Sequence, residues 1–360
     1  MAVTTPAYCT RDDVKRALDV METARENWRI DRAIQSAARN IESHFHLKFY
    51  PQDATRYFDW PNFNYAYPWR LWFDQHNLAA IPTAVTTGTA GGAFPGQSIP
   101  ISACNFEPVN SGPPYTYMEL RRDLNYAFGA GPTPQLDVGI TGTFGYWLQT
   151  DAAGQLAAAV SSTTGTTVQV SDASLVAPGS ILIVDSERML VSDSATLDTG
   201  QTNLTGLTTA SSTDAAVGVT DGTQLHVNEV LQADQERMLI VDITGNTVTV
   251  KRAWDGTTLA AHNAGTHLYA FRNLTVLRGQ LGTTATTHAN AAACSTWRVP
   301  SLLRDLAIAE AENRILQEPG GYRDPQGDGA AAVTHIGTAL ADLWDEAETA
   351  YARKNRKRVI

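Results

Sequence analysis

Charge, cysteine and long apolar runs are all scarce in this chain, and each shortage excludes a class of protein. Asp, Glu, Lys and Arg make up 18% of the 360 residues, against about 25% in ordinary soluble domains. The charge present leans acidic, 37 Asp+Glu against 27 Lys+Arg for a net −10. That excludes a general nucleic-acid binder, which is basic across most of a domain. Three cysteines, Cys9, Cys104 and Cys294, are too few and too scattered for a disulfide framework or a CxxC metal site. No apolar run approaches the ~18 residues that cross a bilayer. Residues 1–10 hold no basic segment followed by an apolar one, so no signal peptide is expected. GxxxxGK[ST], a Rossmann fingerprint after a strand, HExxH and GxSxG are missing too. The expectation is a soluble chain, cytosolic when made, with no enzymatic activity, cofactor or metal.

What replaces the missing charge is Thr, Ser, Ala and Gly, a composition suited to strands and turns. At roughly 150 residues per domain the length allows two or three domains. Residues 10–46 read as helical: Thr10 and Asp13 form a capping-box pair, and Ile30, Ile34, Ala37, Ala38, Ile41 and Phe45 make one apolar stripe. Residues 48–148 break into short β-type runs punctuated by Gly, Pro and Asn. After Pro300 helical spacing returns, first with Leu302, Leu306, Ala309, Asn313 and Leu316 on one face, then with Val333, Ile336, Leu340, Leu343, Trp344, Ala347 and Tyr351.

Between them, residues 151–295 carry an internal repeat. Val168, Val170, Asp172, Leu182, Asp185 and Glu187-Arg188-Met189-Leu190 recur 49 residues later as Val217, Val219, Asp221, Leu231, Asp234 and Glu236-Arg237-Met238-Leu239. Val250, Arg252, Gly256-Thr257-Thr258 and His262 recur only 26 residues later, as Val276, Arg278, Gly282-Thr283-Thr284 and His288. Two offsets do not come from two complete tandem copies. They come from nesting, in which an outer unit (about 160–194 and 272–294) is interrupted by a whole inner one (about 205–271).

Several groups invite a chemical reading. His262 and His288, each below an Arg, suggest an anion site, but no nucleophile accompanies them; the plainer reading is one turn made twice, with His and Arg satisfying loop backbone. The two Glu-Arg-Met-Leu runs read as fold-maintaining strands. His44 and His46 stand two apart on a helix end and point in different directions, which makes them poor co-ligands. Asn203-Leu204-Thr205 and Asn273-Leu274-Thr275 fit the glycosylation sequon without a secretory context. Tyr57, Phe58, Trp60, Phe63, Tyr65, Tyr67, Trp69, Trp72 and Phe73 make either a stacking platform for sugars or bases or a sheet core plus a subunit interface; the scarcity of interleaved basic residues favours the second.

Thr10–Leu18 with Ile30–Phe45, the strand-like Thr55-Arg56-Tyr57-Phe58, Ile140-Thr141-Gly142-Thr143-Phe144-Gly145-Tyr146-Trp147 and Val299-Pro300-Ser301-Leu302-Leu303 occur in an order that resembles the head-to-tail adaptor (connector) proteins of tailed bacteriophages. The resemblance covers about 1–150 and 296–360; in the simpler members the Tyr146 strand leads straight to the Val-Pro helix. It implies an α+β fold: a helical adaptor core, its N- and C-terminal helices packed together, with a β region and a large inserted β domain containing the nested duplication. The implied division is 1–150 for the first part of the core, 151–295 for the insert, whose two joins must then lie close together, and 296–360 for the closing helices and tail. The implied function is a structural virion protein at the head–tail interface, made in the host cytoplasm. It would form a ring, dodecameric in the family, under the portal protein. Its partners would be copies of itself, the portal and the next neck or tail-completion protein. Packaged DNA would pass through its channel without sequence recognition, an acidic lumen repelling phosphate; no membrane is involved. Arg353, Lys354, Arg356, Lys357, Arg358, Val359 and Ile360 then read as a portal-docking tail, or else as a solvated helix end or a DNA contact. The alternative from another class is a receptor- or glycan-binding virion protein that uses the aromatic stretch or the insert.

Overall fold

The computed structural model describes residues 2–18, 26–60, 67–208, 215–317 and 330–351, without side chains for 330–338. The tail residues Arg353, Lys354, Arg356, Lys357, Arg358, Val359 and Ile360, like Phe63 and Tyr65, lie outside the described residues. Among those described are seventeen strands and four α-helices. This overturns the expected α+β fold on a helical adaptor core: the protein is mostly antiparallel β-sheet. The chain gathers into two compact units, residues 1–41 with 150–350 and residues 42–149 with 351–360.

The second unit holds β1 (Gln52–Phe58), β2 (Arg70–Trp72), β3 (Ala84–Thr87), β4 (Gln97–Ile99), β5 (Cys104–Glu107), β6 (Tyr117–Leu120) and β7 (Val138–Phe144). They form a sheet in the order β1-β7-β3-β4 and a three-stranded one in the order β2-β6-β5. Phe58, Leu71, Phe73, Val85, Phe106, Met118, Val138 and Ile140 fill the core of this unit.

In the first unit, α1 (Arg11–Ala17) and α2 (Asn27–Phe45) are followed, after the other unit, by β8 (Thr150–Gln155), β9 (Thr167–Gln169), β10 (Ile181–Val184), β11 (Glu187–Thr202), β12 (Ala215–Gly218), β13 (Val230–Ala233), β14 (Glu236–Thr244), β15 (Thr247–Lys251), β16 (His267–Leu277) and β17 (Ala293–Trp297). These strands make one sheet, β12-β15-β14-β13-β16-β11-β10-β17-β8, with β9 added on β16. Helices α3 (Ser301–Gln317) and α4 (Ala330–Tyr351) close the chain. β8 pairs with β17, Thr150 opposite Trp297, so the two joins of the 151–295 segment sit side by side.

The capping box of α1 is formed: Thr10 Oγ1 accepts from the Asp13 amide at 3.1 Å, and the Asp13 carboxylate accepts from the Thr10 amide at 3.0 Å. The stripe of α2 is buried as read. The reason the helices do not form the body of the fold is that much of what they present goes to the sheet unit. The Arg11 amide donates to Pro178 O at 2.9 Å, and Arg11 Nη1 reaches Asp193 at 2.8 Å. Lys15 Nζ reaches Asp255 at 2.7 Å, both side chains being buried. Gly179, at φ 108°, lets the backbones come together: a Cβ there would lie 2.9 Å from Cys9 O and 3.3 Å from Ile34. On α3 the buried face is Leu303, Leu306, Ala307, Glu310, Ala311 and Ile315. Of the expected face Leu302, Leu306, Ala309, Asn313 and Leu316, Leu306 is buried, Leu302, Ala309 and Asn313 are half-buried and Leu316 is exposed.

Candidate functional site

The two sequence repeats assemble twin polar clusters. In the inner one Glu236, fully buried, accepts from Arg252 Nε at 3.0 Å and Nη2 at 2.6 Å, and from the amides of Ala253 at 3.0 Å and Ala260 at 3.1 Å. In the outer one Glu187, also fully buried, accepts from Arg278 Nε and Nη2, both at 2.7 Å, and from the amides of Gly279 and Thr286, both at 2.9 Å. The ring nitrogens of His262 lie 2.8 Å from Asp234 Oδ2 and 2.8 Å from Glu236 Oε2. Those of His288 lie 2.7 Å from Asp185 Oδ2 and 2.9 Å from Glu187 Oε2. Each Arg then donates outward to carbonyls, Arg252 to Thr208 and Ala260, Arg278 to Ser162, Gly165 and Thr286. The Gly-Thr-Thr turns match as well: Thr257 Oγ1 and Thr283 Oγ1 each accept from the amide of the repeat arginine, Arg237 or Arg188, at 3.0 Å.

This geometry decides the chemistry. Both oxygens of each Glu are filled by donors and each Arg is bidentate, so neither cluster offers a free acid, base or anion site. Each is a clasp that ties two loops to a hairpin. It also shows the nesting directly. Glu236 and Arg252 are 16 residues apart whereas Glu187 and Arg278 are 91 apart, because the inner unit lies between the outer Glu and its Arg. Two separate cores follow the same division. Val168, Leu182, Met189, Val191, Leu274 and Val276 pack in one, and Val217, Leu231, Met238, Ile240, Val250 and Leu268 in the other.

Burial acts to raise the Glu187 pKa, but hydrogen bonds from Arg278, Thr286, His288 and Gly279 outweigh it and hold the carboxyl at about 2. The same balance lowers Glu236. A depressed carboxylate stabilises the fold fully above its unfolded value near 4.3, and the contribution is lost as pH falls through the folded value. Urea melts of the wild type and Glu187→Gln should therefore differ by a few kcal/mol at neutral pH, with the difference closing between about pH 4.5 and pH 2. A pH-independent difference would mean that the charge of Glu187 is not what holds the clasp.

A third group, Asp172, His226 and Glu229, brings three metal-type ligand atoms within 4.8 Å of one another. Both oxygens of its Glu229 carboxylate are already taken, chiefly by Arg272. Glu229 Oε1 accepts from Arg272 Nε at 2.8 Å and the Ala173 amide at 2.9 Å, while Oε2 accepts from Arg272 Nη2 at 2.7 Å and the His226 amide at 3.0 Å. Glu229 thus joins the outer segment at Ala173 to the inner one at His226. In the other unit, buried Asp137 pins a glycine-rich loop by accepting from Thr87 Oγ1 and the amides of Gly88, Gly129 and Gly131. Sequence reasoning missed both; an isolated acid gives no sign of a partner some 50 residues away.

A cavity of about 90 Å³ is lined by Tyr8, Cys9, Asp13, Trp297, Arg298 and Arg304. Its charges are paired, Asp13 with Arg16 and Arg304, and Asp151 with Arg298. Burial pushes the Cys9 thiol well up, Cys104 to about 12 and Cys294 to about 11, so all three are protonated rather than nucleophilic near neutral pH. His44 and His46 are exposed on either side of buried Phe45. Asn203 is fully buried, which closes that sequon to modification in the folded protein.

The aromatic stretch divides. Phe58 and Phe73 enter the core, while Tyr67, Trp69 and Trp72 remain at least partly exposed. Compared with family models, characterised proteins and solved structures, the chain matches none.

Proposed function

We propose that this chain is a structural subunit of a tailed-bacteriophage head-to-tail adaptor, a ring of identical copies under the portal that extends the DNA channel and docks the next neck or tail-completion protein. The observation that carries the reading is the pairing of Thr150 with Trp297. It lets the long β segment leave and rejoin the chain at one point, between the strand ending at Phe144 and the helix starting at Ser301, as the simpler adaptors' direct strand-to-helix connection requires. The commitment of Glu187, Glu236, Glu229 and Asp137 to clasps supports a scaffold with no catalytic step. In this reading Arg353–Arg358 steer the tail onto the portal and Val359-Ile360 anchor it.

Negative-stain imaging of the purified chain, alone and with the portal of the same virion, tests it. A ring with a central channel is expected, together with loss of portal binding on truncation after Tyr351. Monomers under both conditions would overturn the reading. The exposed aromatic side chains favour a second reading, a receptor- or glycan-binding virion protein, for which trimers or isolated monomers are the expected images.

A further inference from the structure

The two copies of the β unit are built alike, so a residue that differs between them at an equivalent position shows what the shared fold does not require. Two buried acids differ in this way. Glu229 takes the place of Ser180 (229 − 180 = 49). The Ser180 hydroxyl accepts from the Ala177 amide at 3.1 Å, and Glu229 Oε2 accepts from the equivalent His226 amide at 3.0 Å. Asp255 takes the place of Leu281 (281 − 255 = 26), and both stand at the same left-handed φ of 56°. The local turns therefore need neither acid. Each acid reaches out of the inner unit instead. Glu229 accepts from the Ala173 amide of the outer unit at 2.9 Å and from Arg272, the Glu and Arg side chains being 1% and 7% exposed. Asp255 takes Lys15 of α1, a helix itself fastened to the outer unit through Arg11 at Pro178 and Asp193.

Strands β11 and β16 run through both units, and their ladder slips where one core gives way to the other. From β16, Leu274 and Val276 enter the outer core and Leu268 and Ala270 the inner one. Between these pairs Asn273 faces Ala195 but Ala270 faces Leu197, three steps on β16 against two on β11. Such a bulge breaks the ladder and bends the strand. Arg272 lies in it.

We propose that the inner β unit is a hinged arm, turning at this bulge and latched by two buried ion pairs, Arg272–Glu229 and Lys15–Asp255. Each core lies to one side of the bulge, so a swing of the arm leaves both packed. The latch is made of charge, and charges regain water when they part, which offsets much of the attraction lost. Breaking one pair from one side drives the arm open, because a buried cation without its acid is costly. Opening is how Arg272 or Lys15 then reaches water.

The test uses the full-length chain with Thr163→Cys in the outer unit and Thr247→Cys in the inner one, both at exposed positions. All three native cysteines are buried, so nitroxide labels go to the introduced pair. Double electron–electron resonance should give one narrow distance in this chain. Glu229→Gln and, separately, Asp255→Leu should replace it by a broad distribution, with amide protection at Val191 and Ile240, one in each core, unchanged. Adding Arg272→Met to Glu229→Gln removes the stranded cation and should restore the narrow distance, which a packing defect at position 229 would not allow. A narrow distance that persists in both single variants, or a broad one already present without them, would overturn the hinge. A double variant that stays broad would overturn the charge latch. Loss of protection at Val191 or Ile240 would also overturn it, by showing that the ion pairs hold the units' own folds rather than the angle between them.

Discussion

Replacing Arg252 by alanine is expected to unfold the inner β unit while the outer one keeps its own transition. Arg252 is 1% exposed and satisfies three groups at once: the Glu236 carboxylate and the carbonyls of Thr208 and Ala260. Its removal leaves a buried carboxylate without its cation, which costs about 3–5 kcal/mol. A unit of this size has a total stability of only about 3–10 kcal/mol at ~0.05–0.15 kcal/mol per residue, so the loss is comparable with the whole. The outer unit keeps Glu187, Arg278 and His288 and a separate apolar core. Amide exchange reads the difference: Val217, Ile240 and Val250 should lose protection, whereas Val168, Val191 and Val276 keep it. Arg252→Lys should behave nearly as badly, because an ammonium does not make the bidentate contact. Equal loss of protection in both sets would mean that the shared strands β11 and β16 weld the two units into one cooperative block.

Such a difference is foreseeable because the repeat is legible in the residues themselves. The offsets of 49 and 26 already imply which Glu belongs with which Arg and His, although sequence alone leaves those side chains as separate turn-makers rather than one clasp. The capping box at Thr10 and the α2 stripe are local patterns, and both form. What periodicity misreads is buried polarity. Arg11, Lys15 and Asp31 sit on helices where a charged residue suggests solvent, yet each is buried in an ion pair, Arg11 with Asp31 and Lys15 with Asp255. On α3 the buried face includes Glu310, satisfied by Asn40 and Arg314, so an apolar-only template finds Leu306 but misplaces the rest of the face. The helical core, by contrast, is what the adaptor resemblance implies, whereas the residues of 48–148 and 151–295 read as β on their own. The partners that draw these charges inside, Asp193 and Asp255, are about 180 and 240 residues away in sequence and carry no local signal.

Deleting residues 203–266 should leave a folded outer unit. The inner unit sits at the end of the antiparallel β11–β16 ladder, with Thr202 paired to His267 and Gln201 to Leu268. Asn203 closes its neck, its amide donating to Thr266 O at 2.9 Å and its carbonyl accepting from the Gly265 amide at 2.7 Å. A two-residue Asn-Gly turn between Thr202 and His267 would convert β11 and β16 into an ordinary hairpin, because a type I′ turn matches the twist of paired strands. Val168, Leu182, Met189, Val191, Leu274 and Val276 lie outside the deletion, so the outer core remains complete. The charges that lose partners are not stranded. Arg272 loses Glu229 and Lys15 loses Asp255, and both side chains, buried in the full chain, should become open to water once the segments that supply these partners are gone. The chief new exposure is Leu268, worth about 1.5–3 kcal/mol, and Leu268→Thr in the deleted chain removes it while keeping a strand-forming residue. The expected result is one cooperative unfolding transition, with protection retained at Val168, Val191 and Val276. A deleted chain that binds hydrophobic dye and melts without cooperativity, even with Leu268→Thr, would mean that β13 and β14, packed along β16, are needed to hold the outer unit together.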